Sequence, residues 1–394
     1  MRRRTLYICL MLAVSIVGVG LWRATRVRAA AETPPVAYLK SWSPQAAANY
    51  LDRREVWWQY WPAAQMDHGT VCISCHTVVP YAMVRPALSQ ELHATEMPAP
   101  QKVLMDNVEK RVGHWSEMTP FYTDEAYGPG KTAESHATEA LLNAVILTSY
   151  DTRNGHLRPI TRTALDEAWA LQEMTGENAG GWRWQDFHLS PWESSESGYQ
   201  GAALFMLTIE NAPDGYANEP GIRENMELLK QYLRRHYAAQ PLMNQLYVLW
   251  LSPKVSGLLT EDERKALLEA IQKHQQADGG WSLATLDPRS QLENNRLKRL
   301  KQELVEMTSP VTSDGYATAL VVMALEASGT SQQDGLVKRG LDWLEQHQGS
   351  DGAWRAYSVN ERRDPDSDIG RFMSDGATAY AVMALENRQH PSGK

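Results

Sequence analysis

The chain has 394 residues, with 39 Lys and Arg against 47 Asp and Glu and a formal net charge of −8. Six of the basic residues are arginines within the first 31 positions, a stretch with no acid, which leaves 33 basic against 47 acidic residues in the remainder. A body that acidic excludes nucleic acid and a broad anionic-lipid surface as partners.

Residues 1–31 read as a targeting segment: Arg2, Arg3 and Arg4 precede an apolar run from Leu6 to Trp22, and Ala29-Ala30-Ala31 offers a cleavage site. The run is at the short limit for a spanning helix. A cleaved signal peptide and an uncleaved N-terminal membrane anchor both fit. Either way the chain is expected to be exported, periplasmic or anchored facing the periplasm.

From residue 32 to 131 a small helical segment is expected. Ser43-Pro44 pairs an N-cap with Pro at the first helical position and opens a helix that ends near Trp61-Pro62. A short link then delivers Cys72-Ile73-Ser74-Cys75-His76, the C-x-x-C-H attachment signature of a c-type haem. Two thioethers would hold the porphyrin, and His76 would be the proximal iron ligand. An oxidising compartment offers C-x-x-C a rival use as a disulfide. A disulfide has no need of His76, so one covalent haem c on Cys72, Cys75 and His76 is the expectation. A helix just ahead of C-x-x-C-H resembles small cytochromes c over this part alone. Met83, Met97, Met105, Met118, His68, His93 and His114 offer sixth ligands by chemistry, and the loop methionine of cytochromes c points to Met97. Beyond His76 the chain is punctuated by Pro80, Pro86, Pro98 and Pro100, with one more helix expected from Gln101 to His114.

Residues 132–394 contain a repeat. Ser197-Gly198-Tyr199, Ser313-Asp314-Gly315-Tyr316 and Ser374-Asp375-Gly376 each open an apolar helix that carries Met and then Glu. Ser135 to Leu147 and Pro241 to Leu251 read as two more. Polar helices over Arg162 to Met174, Ile222 to Tyr237, Glu261 to Gln275 and Leu336 to Gln346 lie between them. Alternation of buried and half-exposed helices predicts an α/α toroid or solenoid of hairpins. Five inner and four outer helices are legible, and Gln101 to His114 would supply another outer one. Two polar helices end in Q-x-x-x-G-x-W, at Gln275 to Trp281 and Gln348 to Trp354. Gly180-Gly181-Trp182 is a third copy without its Gln at the right place.

These QW motifs and the repeated inner helices resemble the squalene-hopene cyclase and prenyltransferase superfamily. The resemblance implies an all-α fold, an α/α toroid preceded by the small haem-signature segment, with Gln and Trp as structural staples. It also implies a test for activity. Cyclases of this type protonate their substrate with a D-x-D-D carboxyl, and only Asp314 and Asp375 stand at matching places. Each lacks its second carboxylate, so both are expected to be N-caps and only weak catalytic candidates. Asp364-Pro365-Asp366-Ser367-Asp368 reads as a solvated loop or weak cation site.

The stretch from Trp182 to Glu193 packs three Trp, a Phe and a His ahead of an inner helix. It would line the ring mouth or seal the haem segment against the ring. Trp182, Trp184, His188, Trp192, Tyr199 and Tyr316 are the candidate cavity-lining residues. His136 starts the first inner helix, and Asp287 to Met307 reads as an amphipathic surface helix. The expected function is an exported haem protein on a cyclase-like toroid, in electron transfer, redox sensing or oxidation of a ring-bound apolar ligand. Such a ligand would be an isoprenoid or quinone, and a redox protein is the other expected partner. The alternatives are a terpenoid-cyclase-like enzyme with a structural disulfide, and a non-catalytic toroid binding lipid or glycan.

Overall fold

The structure is a computed structural model that describes residues 37–118, 128–287, 311–360 and 363–389. The targeting segment and most of the stretch from Asp287 to Met307 lie outside these residues. No helix among the described residues is long and apolar enough to cross a membrane.

Thirteen α-helices and one two-stranded ribbon make up the described chain. Twelve of the helices alternate strictly between an outer and an inner layer. The outer ones are α1 (Pro44–Tyr60), α3 (Ala99–Gly113), α5 (Pro159–Ala170), α7 (Arg223–His236), α9 (Glu261–His274) and α12 (Gly335–Gln346). The inner ones are α2 (Val78–Glu91), α4 (Gly128–Asn154), α6 (Ser197–Glu210), α8 (Leu242–Leu251), α11 (Gly315–Ala327) and α13 (Phe372–Gln389). A single turn, α10 (Leu283–Leu286), precedes α11, and strands β1 (Gln65–Met66) and β2 (Thr70–Val71) pair antiparallel ahead of Cys72.

The inner helices contact one another in the order α2, α4, α6, α8, α11, α13, and α13 returns to α2. That closed order is an α/α ring of six hairpins. Small residues make it possible: Ala202, Ala203, Ala317, Ala319, Ala377 and Ala379 are essentially inaccessible, so inner helices meet on both flanks. Outer helices bury only one stripe each, as Leu267 and Ile271 do on α9.

Two expectations are corrected here. The Pro-punctuated stretch after His76 is the helix α2, which supplies the sixth inner position. Its Pro80 sits in the first turn, where a backbone N–H has no partner inside the helix. The Ser74 hydroxyl takes over the capping role, accepting from the N–H groups of Thr77 at 3.3 Å and Val78 at 3.1 Å. Pro86 lies in the interior, a cost that burial of Val84, Ala87 and Leu88 around it outweighs. The described part of residues 32–131, expected to stand apart, holds α1, α2 and α3, the first hairpin and a half of the ring. The described residues from Tyr38 onward form one compact unit.

The QW motifs tie each outer helix to the next. Trp281, Trp354 and Trp182 donate their indole N–H to the carbonyls of Ile271, Leu344 and Ala168, near the end of the preceding outer helix. Gln275 donates to Gly279 and to Leu336 on α12. Gln172 donates to Gly180 and to Asn225 on α7, so the third motif does own a glutamine, ten residues before its Trp rather than six. Gln348 closes the circle, accepting from Ser43 N–H at 2.6 Å and donating to the carbonyls of Ser43 and Gly352. The last hairpin is thereby bonded to the cap of the first helix. Gly352 has φ of +95°, and a Cβ there would collide with the Ala46 carbonyl oxygen.

Candidate functional site

The links that lead into inner helices meet at one end of the ring. The Cys72–His76 link, the Trp182–Glu193 loop and the loop before α13 come together there around the His76 imidazole. His76 is buried, with Phe372 stacked on its ring at 3.9 Å, Trp58 edge-on at 5.2 Å and Trp192 at 5.9 Å.

Hydrogen bonds fix this imidazole. Asp375 accepts at Oδ2 from the Thr77 hydroxyl at 2.7 Å. A carboxylate only accepts, so the Thr77 oxygen is left to accept from His76 Nδ1–H, at 2.9 Å. The consequence is a proton on Nδ1, which in the neutral ring leaves the Nε2 lone pair uncommitted. Burial, helped by the Arg54 and Arg363 charges, lowers the His76 pKa to about 3 and so keeps the ring neutral. Asp375 also accepts from Tyr50 OH at 2.8 Å and from Arg54 Nε at 2.8 Å. The other arm of Arg54 reaches Asp368, to its carboxylate at 2.9 Å and its carbonyl at 2.7 Å. Burial raises the Asp375 pKa, against the pull of Arg54, Thr77 and Tyr50.

Asp375 is therefore not an N-cap as expected. α13 begins three residues earlier, at Phe372, and this places the carboxylate in its first turn, aimed at α1. Asp314 is a cap: it accepts from Ala317 N–H at 2.9 Å and Leu283 N–H at 2.6 Å, and burial raises its pKa to about 6. The Asp364–Asp368 cluster is a loop paired with arginines, through Asp368 to Arg54 and Asp366 to Arg371.

Cys72 and Cys75 are free thiols, without a disulfide between them. Burial pushes the Cys72 pKa up to about 12 and Cys75 well above the thiol range, so both are protonated and weakly nucleophilic. The motif stands between two cavities. Cys72 borders one of about 350 Å³, together with Glu55, Trp58, Asn107 and Lys110. Cys75 borders one of only about 20 Å³ inside the ring, with Trp184, Trp192, Gln200 and Tyr380. Room for about one water is all that the second offers. Tyrosines fill the ring below it. Tyr247 OH bonds to Tyr316 OH at 3.0 Å and Tyr380 OH at 2.8 Å, and accepts from Gln200 at 2.7 Å. The Gln200 Oε1 is buried without a partner.

The cavity candidates therefore separate. Trp184 and Trp192 border the small cavity, with Trp184 seated on Gly201, where a Cβ would collide with its ring. Tyr316 belongs to the hydroxyl cluster. Trp182 is instead a staple packed on Trp169 and Phe205, and Tyr199 points outward, donating to Leu233 on α7. His188 is exposed beside Asp186. Met97 is more than a third exposed while His76 is buried, so the surface claims it rather than the site. Met105 and Met118 are core, and His136 stacks on Trp115 at 4.2 Å. Sequence reasoning missed Tyr50, Arg54, Thr77, Phe372 and Gln200. For Arg54 and Gln200 the available signal was a buried polar residue on a packed helix face.

Residues 312–391 match the squalene-hopene cyclase C-terminal domain. The match covers α11, α12 and α13, with Asp314 and Asp375 inside it. The chain thus contains a squalene-cyclase-like helical domain. No curated protein matches the chain.

Proposed function

We propose that this chain is a squalene-cyclase-like ring whose chemistry lies in the Cys72–His76 motif at the ring end, and that the motif carries one covalent haem c. The observation that carries the reading is the Nδ1–H of His76 committed to Thr77 and Asp375, with a neutral ring and an unused Nε2. Metal-bound histidines are oriented this way by an outer partner. Two unpaired thiols in C-x-x-C spacing complete the donor set. Cys72 and Cys75 would hold the group and His76 would be its proximal ligand, supplying one-electron chemistry. Thr77, Asp375 and Arg54 orient the imidazole, while Trp58, Trp192 and Phe372 exclude water from it.

A second reading has its own support. The family match favours a terpenoid-cyclase-like enzyme acting on an isoprenoid at the ring centre, where Gln200 Oε1 would accept from a hydroxyl or amide. Against proton-driven cyclisation, both Asp375 oxygens are engaged by Arg54, Tyr50 and Thr77.

The test is a visible absorption spectrum, oxidised and reduced, of protein coexpressed with a haem-attachment system. The haem reading expects a c-type spectrum that survives denaturation and is lost in Cys75→Ser. A folded, colourless protein that converts squalene or a shorter polyprene, with loss in Asp375→Asn, would establish the second reading instead.

A further inference from the structure

His68, His114 and Glu117 converge where the loop ahead of Cys72 meets the end of α3. His68 Nε2 lies 3.3 Å from Glu117 Oε2, and His114 Nδ1 lies 3.5 Å from the same oxygen. The three donor atoms all fall within 4.8 Å of one another. The two imidazoles stack at 4.7 Å with planes 14° apart, so their in-plane lone pairs run side by side, and one ring must turn out of the stack for both nitrogens to address one ion.

These spacings fit a particular ion. Zinc binds His nitrogen and carboxylate oxygen at about 2.0–2.2 Å in a tetrahedron, whose edges are then about 3.3–3.5 Å. Both measured nitrogen–oxygen distances are edges of that size. The third edge, between the two nitrogens, is within 4.8 Å and closes as one ring turns. Two imidazoles and one carboxylate leave a fourth position for water.

The frame that carries the donors is built in advance. Asn107 on α3 clamps the loop through its side chain, accepting from Val71 N–H at 2.7 Å and donating to Val71 C=O at 2.9 Å. Lys110 donates to the His68 carbonyl. His68 itself is held at φ 58°, ψ 21°, a left-handed conformation that non-glycine residues rarely take, and this turns its ring toward His114. The side chains are 34 %, 41 % and 57 % exposed, so an ion enters from solvent without unfolding anything.

We propose that His68, His114 and Glu117 form a divalent-cation site of the zinc class, clamping the loop that delivers Cys72 onto the C-terminus of α3. Gly69, next to His68, and Lys110 line the same 350 Å³ cavity as Cys72, so the ion would stand at that cavity's rim. The inference does not depend on haem attachment.

The experiment is zinc titration of chelator-treated full-length protein, with bound zinc and iron counted separately by elemental analysis. The expected result is one zinc per chain, unchanged in Cys72→Ser/Cys75→Ser and lost in His68→Ala, in His114→Ala and in Glu117→Gln. A rise in melting temperature with added zinc, absent in the same three variants, is the second readout. Since the three residues are exposed, circular dichroism should show each variant folded; if one is not, His114→Gln replaces it. No uptake by the folded wild type, uptake that persists without both histidines, or uptake that disappears only with the cysteines would each overturn the proposal.

Discussion

Replacing Arg54 with Met tests whether Asp375 is a charged hub. Arg54 spans both Asp375 oxygens, at 2.8 and 3.1 Å, and side-chain exposure is 6 % for the arginine and 1 % for the aspartate. Removing one partner of such a buried pair typically costs about 3–5 kcal/mol, because the remaining charge is stranded. Tyr50 and Thr77 still donate to Asp375, so the lower end, about 3 kcal/mol, applies. At ~2 cal/mol/K of unfolding entropy per residue, that lowers the melting temperature by about 4 °C. The cost carries a pH signature. Without Arg54 the folded-state pKa of Asp375 rises further above its unfolded value, so the folded chain holds a proton that the unfolded chain has released. Stability then falls as pH rises from the unfolded pKa toward the folded one, and the variant's deficit is smallest in acid and grows toward neutrality. Adding Asp375→Asn to Arg54→Met removes the stranded charge and should recover at least ~1 kcal/mol at neutral pH. Thermal and denaturant melts of wild type, single and double variants at several pH values provide the assay. An Arg54→Met deficit below ~1 kcal/mol, or one that does not change with pH, would refute the argument.

Gln348→Ala removes the clasp between last and first hairpins and leaves Ser43 N–H without its acceptor; a loss of about 1–3 kcal/mol is expected, with earlier proteolysis near Ser43. Gly352→Ala drives a methyl into the Ala46 carbonyl at a left-handed φ and should destabilise by more than ~1 kcal/mol in denaturant melts. In haem-free protein at mild alkaline pH, iodoacetamide should leave Cys72 and Cys75 unmodified until denaturant is added, since burial holds the Cys72 pKa near 12; mass spectrometry showing rapid labelling of folded protein would contradict this. Asp314→Asn should flatten the pH dependence of stability between the unfolded value of 3.8 and about 6, because the wild-type carboxyl keeps its proton longer when folded and that contribution is lost as pH rises.

Much of the architecture was written in local chemistry. Ser43 before Pro44 does cap α1, accepting from Ala46 N–H at 3.2 Å, and the apolar text around Tyr199, Tyr316 and Tyr380 does form inner helices. Those features depend on residues within a few positions of one another, so sequence alone determines them. What failed was reasoning that needed distant partners. Pro80 and Pro86 made α2 look like a loop, yet the closed ring had one inner place left and burial of that helix outweighed its missing N–H. Gln172 was overlooked because its partner Asn225 lies 53 residues away. Asp375 read as a cap beside its own helix, and only packing of α1 and the start of α2 against α13 gave it Arg54, Tyr50 and Thr77. Local propensity fixes most of the helical segments; ring closure decides α2 and which buried polar groups must find each other, because a polar group shut away from water is stable only beside a partner.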